Sequence, residues 1–206
     1  PPGAGKSTIT NQLIKKIRKN NKSVCALLVD PSSPFTNGAV LGDRIRMQDF
    51  HKDDNVFIRS IASRGSKGGL SENIENITNV LNYCKFDVII FETVGIGQIE
   101  LDVIEAVDTV AVILVPESGD DIQMMKAGLI EIADIYTINK SDRKDSDKLY
   151  LILKNILDLS NNEWLPDIIK TVAIDGIGIS ELYDKIYNHR EYLLKTEIIF
   201  KKYNQR

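Results

Sequence analysis

A chain of 206 residues, 43% hydrophobic and 27% charged, can bury one sizeable core, or one domain with a short appendage. Lysine and arginine number 26 against 29 acidic residues, a net charge of −3, which gives no support to a surface built on nucleic-acid phosphates. No apolar run approaches the ~18 residues of a membrane span; the longest, Val110 to Pro116, is the size of a strand.

"PPGAGKST", Pro1–Thr8, opens the chain. Ile9, Leu13, Ile14 and Ile17 then recur at helical spacing with basic residues between them, which predicts an amphipathic helix to about Asn20. "SVCALLVD" reads as a buried strand ending on Asp30, and "PSSPFTNGAVLGD" as a loop. "NVFIRS" is a short strand and "SRGSKGG" a second glycine-rich loop. Ile74, Ile77, Leu81 and Cys84 mark a helix face, "FDVIIFET" is the clearest strand, and "DTVAVILVP" and "IADIYTINK" follow as two more. Leu149, Ile152, Leu153, Ile156 and Leu157 predict another helix, "IIKTVAI" a strand, and Leu182, Ile186, His189 and Leu193 a last helix. Continuous apolar strands alternating with amphipathic helices predict an α/β fold with a mostly parallel sheet covered on both faces. Cys25 and Cys84 stand far apart and outside any C-x-x-C, and both are expected as buried thiols of a reducing compartment. His51 and His189 are expected at surface or half-buried positions, and Trp164 as a loop anchor.

Four stretches carry chemistry. In "PPGAGKST", Gly5, Lys6 and Ser7 fill the last three places of the phosphate-loop pattern G-x-x-x-x-G-K-[ST], whose first glycine would fall one residue before Pro1. Gly3, Ala4, Gly5 and Thr8 complete the segment. Glycines let backbone N–H groups approach phosphate oxygens, and the helix N-terminus adds partial positive charge. Lys6 would reach the β- and γ-phosphates and Ser7 would ligate Mg²⁺. The competing reading is a plain glycine turn before a surface helix. The second stretch is "NKSD", Asn139–Asp142, directly after an apolar strand. A carboxylate there accepts both guanine N1–H and the exocyclic amino group, and adenine leaves it unpaired. Asn139 would meet the other edge of the base and the Lys140 stem its face; a helix-capping turn is the plain alternative. Loop and "NKSD" together point to GTP.

Third, "ETVG" puts Glu92 at a strand end, fit for the Mg²⁺ shell, and Gly95 near a γ-phosphate. Gln98 could orient water, and a plain loop residue is an equal alternative. Fourth, Asp30 at a strand end and Asp43 in "LGDRIRMQD" suit a metal shell or water positioning, a helix N-cap being the alternative for Asp43. Arg44, Arg46, Arg59 and Arg64 could offset transition-state charge, or face a partner or solvent.

With "VDPSSPF", "GDRIRMQDF", "FIRSIASRGSKGGL", "ETVGIGQ", "ESGDDIQMMKAG", "EIADIYTINKSD" and "KTVA", the chain resembles the MeaB-type GTPases associated with methylmalonyl-CoA mutase, from Pro1 to about Leu193. Members are often labelled arginine/ornithine transport ATPases or kinases, and "NKSD" argues against ATP here. The resemblance implies a P-loop GTPase domain over residues 1–196, with 197–206 the start of a C-terminal dimerisation arm and the sheet's first strand ahead of the chain. It implies Lys6 and Ser7 on phosphates and Mg²⁺, and Asp30, Asp43 and Glu92 in the metal and catalytic shell. Asn139, Lys140 and Asp142 would read guanine, the segment around Ala173 would cover the base, and Pro116–Lys126 would be the switch facing the mutase. The implied task is GTP-gated loading and protection of adenosylcobalamin in an acyl-CoA mutase, by a homodimer in the cytoplasm or, in a eukaryote, the mitochondrial matrix. Two alternatives stand beside it: a nickel- or cobalt-inserting accessory GTPase, for which no Cys/His cluster is visible, and a GTP-sensing adaptor without turnover.

Overall fold

In the computed structural model, which describes residues 3–30, 48–50, 52–62, 69–93, 103–116, 132–160 and 162–199, the apolar stripe after the opening loop folds as helix α1, Lys6–Lys19. Ile9, Thr10, Leu13, Ile14 and Ile17 are its buried face, and Lys16, Arg18 and Lys19 in its last turn complement the helix dipole. Asn21 ends it in the left-handed region (φ 57°), donating its N–H to the Arg18 carbonyl.

The chain divides into two units, Lys6–Ala106 and Pro1–Gly5 with Val107–Arg206. In the first, strands β1 (Val24–Asp30), β2 (Val56–Ala62) and β3 (Val88–Thr93) form a parallel sheet in the order β2-β1-β3. Val24–Val29 of β1 are all buried, as expected of a strand between two neighbours with both faces covered. Helix α2, Gly69–Tyr83, lies on one face: Leu81 packs with Cys25 and Leu27, beside Ile61, Ile77, Phe86, Ile89 and Phe91. Helix α1 packs against β1 and β3. The Asp87 carboxylate accepts the Ser23 N–H (2.7 Å) and hydroxyl (2.8 Å), which aligns the starts of β1 and β3. Arg18 Nε donates to Asp53 Oδ2 at 2.8 Å, tying α1 to the turn before β2.

In the second unit, β4 (Ala111–Leu114), β5 (Ile135–Asn139) and β6 (Asp167–Thr171) are parallel in the order β4-β5-β6. All five residues of β5 are buried. Tyr136 and Ile138 meet Leu149, Leu153 and Leu157 of helix α3, Ser146–Leu157. The alternating residues Ile135, Thr137 and Asn139 therefore face the other side. Helix α4, Ile179–Lys195, packs against β5 and β6 through a face that includes Leu182, His189 and Leu193. Among the described residues no helix is long and apolar enough to cross a membrane.

Three expectations change. Cys84 is exposed while Cys25 is buried, because α2 ends at Tyr83 and the stripe that Cys84 continued stops one residue before it. His189 is fully buried, its imidazole between the Thr109 hydroxyl (2.8 Å) and the Asp134 carboxylate (3.4 Å). The strand expected over "IIKTVAI" stops at Thr171, and the chain turns through a 3₁₀ segment, Ala173–Asp175. Trp164 anchors its loop as expected: its indole N–H donates to the Asp134 carbonyl (2.9 Å) and its ring packs on His189.

Candidate functional site

Gly3 and Gly5 both take left-handed backbone, with φ of 76° and 85°. At Gly5 the need is twofold, since a Cβ there would also run into the Asn139 amide. Ala4 between them is fully buried, and its carbonyl accepts a hydrogen bond from Asn139 Nδ2 at 2.8 Å. The opening loop is thus fixed to the end of β5, which a plain glycine turn would not require.

Asn139 has two further bonds. Its Oδ1 accepts from the Thr171 hydroxyl and from the Ala173 N–H, each at 3.1 Å. One buried amide therefore joins the loop, the end of β6 and the turn that follows it. Asn139 is expected to meet one edge of a base; its oxygen is taken by two protein donors, which leaves its second Nδ2 hydrogen as what it can offer a ligand. Ala173, 3% exposed, fixes Asn139 through its main chain. By sequence Thr171 is only part of a strand. Its signal was its place in "KTVA", beside Asn139 in the β5–β6 register.

Lys140 is left-handed (φ 56°), which turns the chain sharply out of β5. The Ser141 N–H bonds the Thr171 carbonyl (3.0 Å) and the Ser146 hydroxyl bonds the Ser141 carbonyl (2.9 Å), so the turn is held at both ends. Asp142 on this turn is exposed. It does not cap α3, whose N-cap position is Asp145 without a side-chain cap bond, so the helix-capping alternative falls away.

In the other unit, α1 begins at Lys6 with no acidic residue in its first turn, leaving its N-terminal dipole open to an anion. Lys6 and Ser7 are half-buried and Thr8 is exposed. The Ser7 hydroxyl donates to Glu92 Oε1 at 2.5 Å. The β1–β3 register sets Glu92 beside Leu28, on the sheet face against which α1 packs. A hydroxyl and a carboxylate are hard oxygen donors of the kind Mg²⁺ takes, and the bond they make leaves the serine lone pairs to face a cation. These two residues fit the metal. Asp30 ends β1 as expected. Asp43, Gly95, Gln98 and most of the Pro116–Lys126 segment lie outside the described residues.

A glycine loop running into a helix at G-K-S, with parallel strands and helices around it, defines the P-loop NTPase fold, and solved structures agree. A structure titled LAO/AO transport system kinase superposes with a TM-score of 0.79 at 25% identity, covering 100% of this chain and 61% of that one. The whole of residues 1–206 matches the family described as methylmalonyl Co-A mutase-associated GTPase MeaB, and the chain belongs to that family. A protein of Pyrococcus abyssi with a provisional GTPase name is 49% identical over 201 residues, 95% of this chain and 62% of the relative. The mitochondrial methylmalonic aciduria type A homolog of Mus musculus is 33% identical over 202 residues, 95% of this chain and 49% of the relative. The chain thus spans about three fifths of the length of the first relative and half that of the second.

Proposed function

We propose that this chain binds GTP with Mg²⁺ and hydrolyses it to GDP and phosphate, as the switch of an accessory protein to an adenosylcobalamin-dependent acyl-CoA mutase. The observation that carries the nucleotide reading is the Asn139 amide, which braces the Ala4 carbonyl of the glycine loop and the Ala173 N–H with one side chain. Family membership and the mutase in the family's description support the partner.

In this reading the N–H groups of Gly3–Thr8 and the Lys6 ammonium hold the phosphates. Bound Mg²⁺ would neutralise charge developing on the β- and γ-oxygens. Glu92 accepts a hydrogen bond from the Ser7 hydroxyl, and the two side chains would together hold the cation. Asp142 pairs with guanine N1–H and the 2-amino group, and the Lys140 stem lies along the ring. Asp30, Asp43, Gly95 and Gln98 complete the proposed catalytic shell, and residues 197–206 begin an arm that joins two copies.

Calorimetric titration of the full-length protein with GTP and ATP in Mg²⁺ tests the base reading: GTP binds at least a hundredfold more tightly, and equal affinities would refute it. Single-turnover hydrolysis with and without an acyl-CoA mutase tests the switch. Turnover above the uncatalysed rate that responds to the mutase is expected; a background rate in both leaves only a nucleotide sensor.

A further inference from the structure

Helix α3 carries a hydroxyl where its apolar stripe would take an alanine. Ser146 shares the buried face of Leu149, Leu153 and Leu157 and is itself 6% exposed. A buried hydroxyl costs stability unless it is bonded. Its partner lies outside the helix: the Ser146 hydroxyl donates to the Ser141 carbonyl at 2.9 Å. That carbonyl belongs to the peptide that joins Ser141 to Asp142. The peptide before it is pinned from the other side, since the Ser141 N–H donates to the Thr171 carbonyl at 3.0 Å. The Arg143 N–H closes the turn onto the Lys140 carbonyl, also at 3.0 Å. Asp145, the N-cap of α3, is left-handed (φ 73°) and makes no side-chain cap bond. The side chain that opens α3 thus serves the turn before the helix.

We propose that Ser146 is a positioning residue for base selection: by holding the Ser141 carbonyl it aims the Asp142 carboxylate. The inference rests on the GTP reading above and adds to it the group that sets the direction of the selecting side chain. A peptide is planar, so fixing its carbonyl fixes the plane from which the Asp142 side chain departs. Guanine presents two donors, N1–H and the 2-amino group, to one carboxylate. Two parallel hydrogen bonds demand a set approach, whereas a single one tolerates a swing. Loosening the peptide therefore costs most when both donors are present. Hypoxanthine keeps N1–H and lacks the 2-amino group. The preference for GTP over inosine triphosphate thus reads the aim of the carboxylate, and the phosphate contacts cancel in the ratio.

The test titrates full-length protein, Ser146→Ala, Asp142→Ala and the double variant with GTP and inosine triphosphate in Mg²⁺. Alanine is a better helix former than serine, so Ser146→Ala should fold, and a melting curve without nucleotide checks it. The parent should prefer GTP, and Ser146→Ala should shrink that preference about three- to tenfold, part of what a charge-assisted hydrogen bond supplies. In the Asp142→Ala background the same change should leave the GTP affinity within about twofold, because Ser146 acts through Asp142. If Ser146→Ala weakens both nucleotides equally, or weakens GTP as much without Asp142 as with it, the residue is structural only. The inference is then wrong and the GTP reading stands. A parent that binds the two nucleotides equally, or an Asp142→Ala variant that keeps the preference, overturns the base reading and this inference with it.

Discussion

At the scale of single residues, the Asn139 amide has three protein partners: the Ala4 carbonyl, the Thr171 hydroxyl and the Ala173 N–H. Ala4 and Thr171 are fully buried, so truncation leaves groups that water cannot reach. Asn139→Ala should lose about 2–4 kcal/mol of stability in urea denaturation, with one to three buried groups left unsatisfied. It should also lose affinity for GTP and ATP alike, because the loop's support goes with it. Retention of parental stability would show that the amide is not a brace. Little of this was legible in the sequence. "NKSD" announced a base reader because a base is what its letters fit, whereas the bonds to Ala4 and Ala173 span 135 and 34 positions and have no local signature. By sequence Gly5 makes room for phosphate; in the structure the Asn139 side chain also occupies the place of its Cβ.

Elements were the most readable level, for a physical reason. The runs "VCALLV" and "IYTIN" are strands buried on both faces, and such strands require no polar alternation. The stripes of α1, α3 and α4 followed from spacing alone. Ends were less readable. Cys84 lay in register with Ile74, Ile77 and Leu81, but the helix ended before it, with Lys85 turning left-handed (φ 57°). Its partner in composition, Cys25, differs sharply: burial pushes that thiol up to about 12, so it stays protonated at neutral pH. The Arg18–Asp53 contact between α1 and the turn before β2 gives a pH test. The Arg18 hydrogen bond, helped by the Asn55 N–H, holds the Asp53 carboxyl below its ordinary 3.8. A lowered folded value means that the stabilisation is complete above the unfolded value and is lost as pH falls through the folded one. Asp53→Asn should melt below the parent at neutral pH, and the two curves should converge as pH drops under 3.8. Curves separated by a constant amount down to pH 2 would exclude the ion pair as the cause.

For the whole molecule, a ligand that binds only the folded state raises the melting point by mass action. At a hundred times its dissociation constant, GDP with Mg²⁺ should add about 2.7 kcal/mol, roughly 5–10 °C for a chain of this size. ADP at the same concentration should move it far less. A scan in which both nucleotides give equal shifts would place the stabilisation in the phosphates alone. The family level was readable because long stretches, "GDRIRMQDF" and "ETVGIGQ" among them, agree over the chain, and the family match covers all 206 residues.

Asp142 is exposed, and among the described residues no hydrogen bond ties it to the fold. Asp142, to which the proposed reading gives the choice of base, is therefore mechanically idle, while Asn139 in the same motif is a strut. On the proposed reading, replacing Asp142 should change which purine is admitted and leave the strut in place. Asp142→Asn suits a 2-oxo purine, as in xanthosine triphosphate, since its amide can donate where the carboxylate only accepts. On the proposed reading, a protein so altered would bind a nucleotide that other guanine-dependent proteins of a cell ignore.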